Sequence, residues 1–180
     1  MDNEASTAER LEQYKQQLLN LSGIDPHNGD SAQRMAFTLE GIGHTLVVKL
    51  NAKQKRELMQ FLYESHLISK DDPVLRLHGF DFNSADLKDI YLQGAYLHAV
   101  KLEKADLRNA NLKGANLIGA NLTNADLTGA ELTNATMRDA EVTEEQLGSS
   151  KSVRVFEWPP GQWVWTPKLQ RNDSTAQDQS

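Results

Sequence analysis

No cysteine occurs among the 180 residues, so neither a disulfide framework nor a thiolate metal site is available to the chain. No apolar run approaches the roughly eighteen residues of a membrane span, and the opening M-D-N-E-A-S-T-A-E-R is too polar for a secretory leader. Bulk basicity is missing as well: 19 Lys and Arg stand against 25 Asp and Glu, a formal net charge of −6, which leaves no footprint for nucleic acid. Recognisable chemistry is equally scarce. The histidines, His27, His44, His66, His78 and His98, show no ligand spacing such as HxxxH. No nucleophile with a base partner, phosphate-cradling loop or pair of catalytic carboxylates stands out. The glycines of G-I-G at Gly41 and Gly43 fall inside a helical pattern with no strand before them, so close helix packing is a better reason for them than phosphate binding. These absences predict a cytoplasmic, non-enzymatic protein without cofactor or metal, built as one compact unit or two small ones.

What the chain does have is a five-residue repeat from Phe80 to Glu144, running F-D-F-N-S, A-D-L-K-D, I-Y-L-Q-G and on to A-T-M-R-D, A-E-V-T-E. The first slot is Ala in ten of thirteen units and the third is Leu in ten, so the pattern is structural periodicity and not biased composition. A helix of period 3.6 would carry such a unit right round its axis, and a strand of period two would flip the third slot in successive units. Neither buries the same slot every time. If each unit forms one straight side and the chain turns a corner between units, slots one and three point inward on every side. Slot five, with Gly94, Gly114, Gly119, Gly129, Asn109, Asn124 and Asn134, supplies residues that tolerate the positive φ of a type II turn.

This pattern resembles the pentapeptide-repeat family. The resemblance implies a mainly β fold, a right-handed quadrilateral β-helix with four units to a coil, here about three coils with an amino-terminal helical cap. It also implies that residues twenty apart stack, such as Leu92, Leu112 and Leu132. Coils repeating at the strand spacing of about 4.8 Å would make a rod of roughly 16 Å. The stretch K-R-E-L-M-Q-F-L-Y-E-S-H-L-I, Lys55 to Ile68, is similar to the helical region that precedes the first coil in a set of bacterial members.

Outside the repeat, residues 1–73 read as helices. Leu11, Tyr14, Leu18 and Leu21 make one stripe between Ala5 and Leu21; Met35, Leu39, Ile42, Leu46 and Leu50 make another from Ser31 to Lys49. A third helix starts at Asn51 with a capping box to Gln54, buries Leu58, Phe61, Leu62 and Tyr63, and is expected to stop at Asp71, Asp72 and Pro73. Val74 to His78 reads as a strand entering the β-helix of residues 74–147. An open solenoid end exposes unpaired strand edges, so the helices have a capping job available, with a partner or dimer surface as the alternative. Thr143 and Gln146 repeat the capping-box spacing at the other end. Residues 148–167 hold Trp158, Trp163 and Trp165 around P-P-G-Q, a hairpin or cap by its turn residues. The polar residues 168–180 read as a disordered tail.

Candidate binding residues are the outward Tyr91, Tyr96 and His98, together with Trp158, Trp163 and Trp165, since aromatic side chains of this size are either packed or used as anchors. The ladder of Asp86, Asp106 and Asp126 is read as serving turn backbone, with cation binding as the weaker alternative. The expected function is a non-catalytic protein-interaction or scaffold module with an unidentified protein partner, no direct nucleic-acid binding and no membrane span. The alternative, implied by the family, is a DNA mimic that modulates DNA gyrase. Duplex DNA carries a charge every ~1.7 Å, so a mimic of this length would show about nine; ten acids against six bases between Phe80 and Glu144 leave a net of four.

Overall fold

A computed structural model describes residues 2–20 and 30–151, with the side chains of 7–20 and 36–151. Its helices are α1 (Asp2–Leu19), α2 (Asp30–Val47), α3 (Ala52–Glu64) and the short α4 (Glu144–Gly148). Between α3 and α4 the described residues form no strand longer than an isolated bridge. Nine parallel bridges run from Asp81↔Lys101 to Asn121↔Glu141, and each joins a slot-two residue to the residue twenty positions on. Four five-residue units therefore separate stacked partners. A side only two or three residues long before its corner leaves no room for an extended ladder.

The unit Ala110–Gly114 shows why the chain holds this course. Ala110 N–H donates across the preceding corner to Leu107 C=O at 3.0 Å. Asn111 N–H reaches Ile90 C=O in the preceding coil, while Leu112 and Gly114 N–H reach Glu131 and Thr133 C=O in the following one, all at 2.9 Å. Lys113 N–H cannot reach another coil and instead donates to Asn111 Oδ1 at 3.2 Å. The same slot-four bond to a slot-two side chain recurs at Asn83, Arg108, Ile118, Thr123 and Thr128. Each donor in the unit is thus satisfied, four by backbone and one by the Asp or Asn of slot two.

Slots one and three point inward as expected. From Phe80 to Val142 every residue in those slots is at most 7 % exposed. Slot five has positive φ in every unit from Ser84 to Asp139. Ser84, Ala99 and Lys104 adopt it without being Gly, Asn or Asp, which shows the inter-coil bonds overriding the local preference of an L side chain. The repeat also begins one unit before Phe80. Phe80 N–H closes a corner on Leu77 C=O, Gly79 has φ 73°, and Gly79 N–H bonds Ala99 C=O at 2.8 Å, so L-R-L-H-G at Leu75 to Gly79 is a side of the coil. The strand expected over Val74 to His78 is absent for that reason.

Three of the expected helical features change. In α2 the buried face carries Leu39, Gly43, Leu46 and Val47, and Ile42 is 39 % exposed. Gly43 sits where any side chain would strike Tyr14 and Phe80, so the face turns toward the residue with no side chain. Gly41 has open space and no such role. In α1, Leu11, Tyr14 and Leu18 are buried as expected, and Leu21 lies outside the described residues. The α3 capping box forms, with Asn51 and Gln54 each accepting from the other's N–H. The helix ends at Glu64, well before Asp71. His66 takes φ 57°, and His66 and Leu67 N–H bond back to Tyr63 and Leu62 C=O, a Schellman closure with histidine where glycine is usual. Its buried face is Leu58, Met59 and Leu62 with the stem of Lys55, and Phe61 and Tyr63 are only partly buried.

α3 and the residues just after it lie across the open edge of the first coil and supply what a preceding coil would have supplied. Asp86 N–H donates to Ala52 C=O at 3.3 Å, and Tyr96 N–H to Ile68 C=O at 2.7 Å. Slot-four carbonyls of that coil accept from side chains: Asn83 from Lys55 Nζ at 2.9 Å, Lys88 from Arg56, and Gln93 from the Tyr63 hydroxyl at 3.0 Å. At the far edge Gln146, held by its capping box with Thr143, donates to Leu122 and Ala125 C=O at 2.7 and 2.8 Å. Edge groups that would template aggregation are occupied at these points.

Two stability outcomes are expected. Leu112→Ala, in a column stacked above and below, should cost ~2 to 5 kcal/mol in chemical denaturation, and an unchanged midpoint would contradict the inward placement. Gly43→Ala would bring its Cβ to 2.5 and 2.6 Å from the Phe80 ring. That overpacking should lower stability by ~1 to 3 kcal/mol, while Gly41→Ala should not destabilise.

Candidate interaction surface

The twenty-residue register sorts outward side chains into four columns, one per wall. The wall of Asp81, Lys101, Asn121 and Glu141 in slot two mixes both signs of charge, and Glu103 adds to it from slot four. The next carries the ladder Asp86, Asp106 and Asp126 beside Lys88 and Arg108. The third carries Tyr91, Asn111 and Glu131, with Lys113 bridging Glu131 at 2.8 Å. The fourth is different in kind. Its second slots are Arg76, Tyr96, Asn116 and Thr136 and its fourth slots His78, His98, Ile118 and Arg138, with no carboxylate in either. Its corners are Gly79, Ala99 and Gly119 before Asp139, which lies 3.8 Å from Arg138.

The candidate aromatic residues divide between two walls. Tyr96 and His98 share the fourth wall with ring centroids 5.8 Å apart and planes 20° apart. His98 lies above His78 at 5.7 Å and 28°, making a continuous strip of three rings. Both Tyr96 and His98 are half-buried. Tyr91 stands on the third wall, packed edge-on against Tyr63 of α3 at 5.7 Å, its hydroxyl donating to Gln93 Oε1 at 2.9 Å. It is still 53 % exposed, so α3 covers one edge of it and leaves the face. Trp158, Trp163 and Trp165 lie outside the described residues. His78 is the member that sequence reasoning missed. The signal was present, a slot-four histidine twenty residues before His98, and was hidden because Leu replaces Ala in slot one of its unit.

The family model described as pentapeptide repeats matches residues 76–114 and 105–143, in 8 copies. Residues 76–143 are pentapeptide repeats. A solved pentapeptide-repeat protein from the thylakoid lumen of Arabidopsis thaliana is 29 % identical over a match covering 31 % of this chain and 52 % of that one. The match thus spans about half the length of that protein, and its TM-score of 0.12 is too low for a shared overall arrangement to be read from it. No curated protein matches the chain. No helix among the described residues is long and apolar enough to cross a membrane.

Within the pentapeptide repeats the aspartate ladder has structural work. Asp106 Oδ1 accepts the Arg108 backbone N–H at 3.1 Å and its Nε at 2.8 Å, and Oδ2 pairs with the guanidinium at 2.5 Å. Asp126 Oδ1 accepts Thr128 N–H at 2.9 Å, and its other oxygen lies 3.7 Å from Arg108 Nε. The Arg108 hydrogen bonds hold the Asp106 carboxyl below the usual carboxylate range, and Thr128 does the same for Asp126. The groove between α1 and α2, lined in part by Arg10, Tyr14, Thr45 and Lys49, brings together no nucleophile and base. The Tyr14 hydroxyl there donates to Leu39 C=O at 2.9 Å, and burial pushes its pKa up.

A pH dependence follows from the depressed carboxyl. Because the folded pKa of Asp106 lies below its unfolded value, its contribution is present above the ordinary carboxylate range near ~3.9 and is lost as pH falls through the folded value. The thermal midpoint should therefore drop on acidification below that range. Asp106→Asn keeps the Oδ1 acceptor and removes the charge, so its midpoint should fall less steeply with acid; parallel curves would show the pair to be inert.

Proposed function

We propose that this chain is a non-catalytic protein-interaction module. Its helical residues 1–73 cap a right-handed quadrilateral β-helix of about three coils over 74–147, whose fourth wall meets a protein partner. The four-unit register supports the coil count, and the resemblance to pentapeptide repeats supports the handedness. The observation that carries the reading is the asymmetry of the walls. Each of the other three holds carboxylates in slots two or four, whereas the wall of Tyr96 and His98 holds none there and offers a ring strip on a rigid backbone. Depletion of Asp, Glu and Lys with enrichment of aromatic residues and Arg, here Arg76 and Arg138, is a compositional mark of an interface. Residues 148–167, with Trp158, Trp163 and Trp165, are proposed as a second contact beyond this wall, and Tyr91 as a neighbouring one.

The DNA-mimic reading has weaker support. It needs a dense stripe of free negative charge, and the one aspartate column is countered by Arg108 across Asp106 and Asp126. A supercoiling assay in which the chain inhibits gyrase or protects it from quinolones would favour that reading instead.

The test is quantitative. After affinity capture from the native host, binding of the recovered protein is measured directly. Tyr96→Ala with His98→Ala should weaken it by ~2 kcal/mol or more, as for interface anchors. Asp86→Asn with Asp126→Asn, on the acidic wall, should leave it unchanged. Equal losses for both pairs, or none for the first, would remove the fourth wall as the contact.

A further inference from the structure

We propose that His78 and His98 form a two-imidazole site for a borderline transition-metal ion such as Zn2+, Ni2+ or Cu2+. Twenty residues separate them in sequence, and the coil converts that interval into adjacency. Both occupy slot four of the fourth wall, and the bond from Gly79 N–H to Ala99 C=O, one residue after each histidine, locks the two units in register. Their ring centroids are 5.7 Å apart with planes at 28°. That separation is within the range of an offset aromatic pair, so the two imidazoles stand side by side on one wall.

The same spacing is close to what a shared ion needs. With a metal to nitrogen distance of about 2.0 to 2.1 Å and about 1.1 Å from nitrogen to ring centre, each centroid stands about 3.2 Å from the ion. A tetrahedral angle at the metal then places the two centroids about 5.2 Å apart. The observed spacing is wider by about half an ångström, a difference that small rotations about χ1 close, while χ2, a broad torsion for histidine, aims a nitrogen of each ring at the ion. Imidazole pairs favour Zn2+, Ni2+ and Cu2+ and bind Mg2+ and Ca2+ poorly, which sets the class of ion.

The surroundings shape the site without completing it. Among the described residues no group of three His, Cys, Asp or Glu is placed to hold a metal. The remaining coordination positions therefore go to water or to a donor brought by another molecule, as at an open site. Tyr96 flanks His98 with its ring, and Ile118 occupies the same slot in the next coil. Arg76, the nearest cation in sequence, is exposed, so its charge is screened by water. The site stands whether or not this wall binds a protein.

The full chain titrated calorimetrically with Zn2+ or Ni2+ alone should take up one ion, and with Ca2+ none. His78→Ala and His98→Ala should each abolish that uptake. His66→Asn, which alters a histidine at the end of α3 and suits its positive φ, should retain it. Loaded with Cu2+, the wild-type chain should show two nitrogen ligands by electron paramagnetic resonance, and each alanine variant fewer. Should a variant fold less well, the nitrogen count on its folded fraction still decides. Absence of uptake by the wild-type chain, or uptake unchanged by either alanine substitution, would overturn the proposal.

Discussion

The repeat depends on one requirement: each five-residue side must satisfy its five backbone N–H groups although it is too short to make a sheet. Four find carbonyls, one across its own corner and three in the coils on either side. The fifth, in slot four, goes to the slot-two side chain where that is Asp81, Asp106, Asn111, Asn116, Asn121 or Asp126, which is why Asp and Asn recur there. An unpaired buried donor costs about 1 to 3 kcal/mol, and one recurring in every unit would outweigh the net stability of an ordinary domain. The inward leucines and alanines then follow, since a chain held in this register turns slots one and three toward the axis on every side.

The same requirement explains the ends. A first coil has no predecessor, so its donors and acceptors must be met by something else. Ala52, Lys55, Arg56 and Tyr63 of α3 meet them along three walls, and on the fourth Ile68 C=O takes the Tyr96 N–H while Gly79 N–H reaches Ala99 C=O. The amino-terminal helices are thus tied to the solenoid by hydrogen bonds as well as by the apolar contact of Gly43 and Tyr14 with Phe80. Fixed in this way, the outer slots become a grid whose chemistry can vary wall by wall with no effect on the core. The fourth wall, with no carboxylate in slots two or four, and the three walls that carry them there are two uses of that freedom.

Much of this was legible before any coordinates. The five-residue period, the inward slots, the corner residues and both capping boxes could be read because each depends on residues within a few positions of one another. The end of α3 could not. His66 adopts a left-handed conformation that glycine would have announced, and it is held by the Leu67 N–H to Leu62 C=O bond with both leucines buried in the core. The buried face of α2 was misjudged at Ile42 because apolar periodicity gives no weight to a glycine, and Gly43 marks the contact by what it lacks. The first unit was missed because its Leu75 breaks the Ala rule in slot one.

The amino-acid sequence by itself determined the unit and which slots face inward, since period and side-chain size act locally and repeat unchanged. The tertiary structure alone decided which units become neighbours. A twenty-residue register is a property of the closed coil, set by bonds between residues far apart in the chain, and nothing inside one unit specifies it. For that reason the grouping of Tyr91 with Tyr63 and the placing of His78 under His98 became visible only once the coils were stacked.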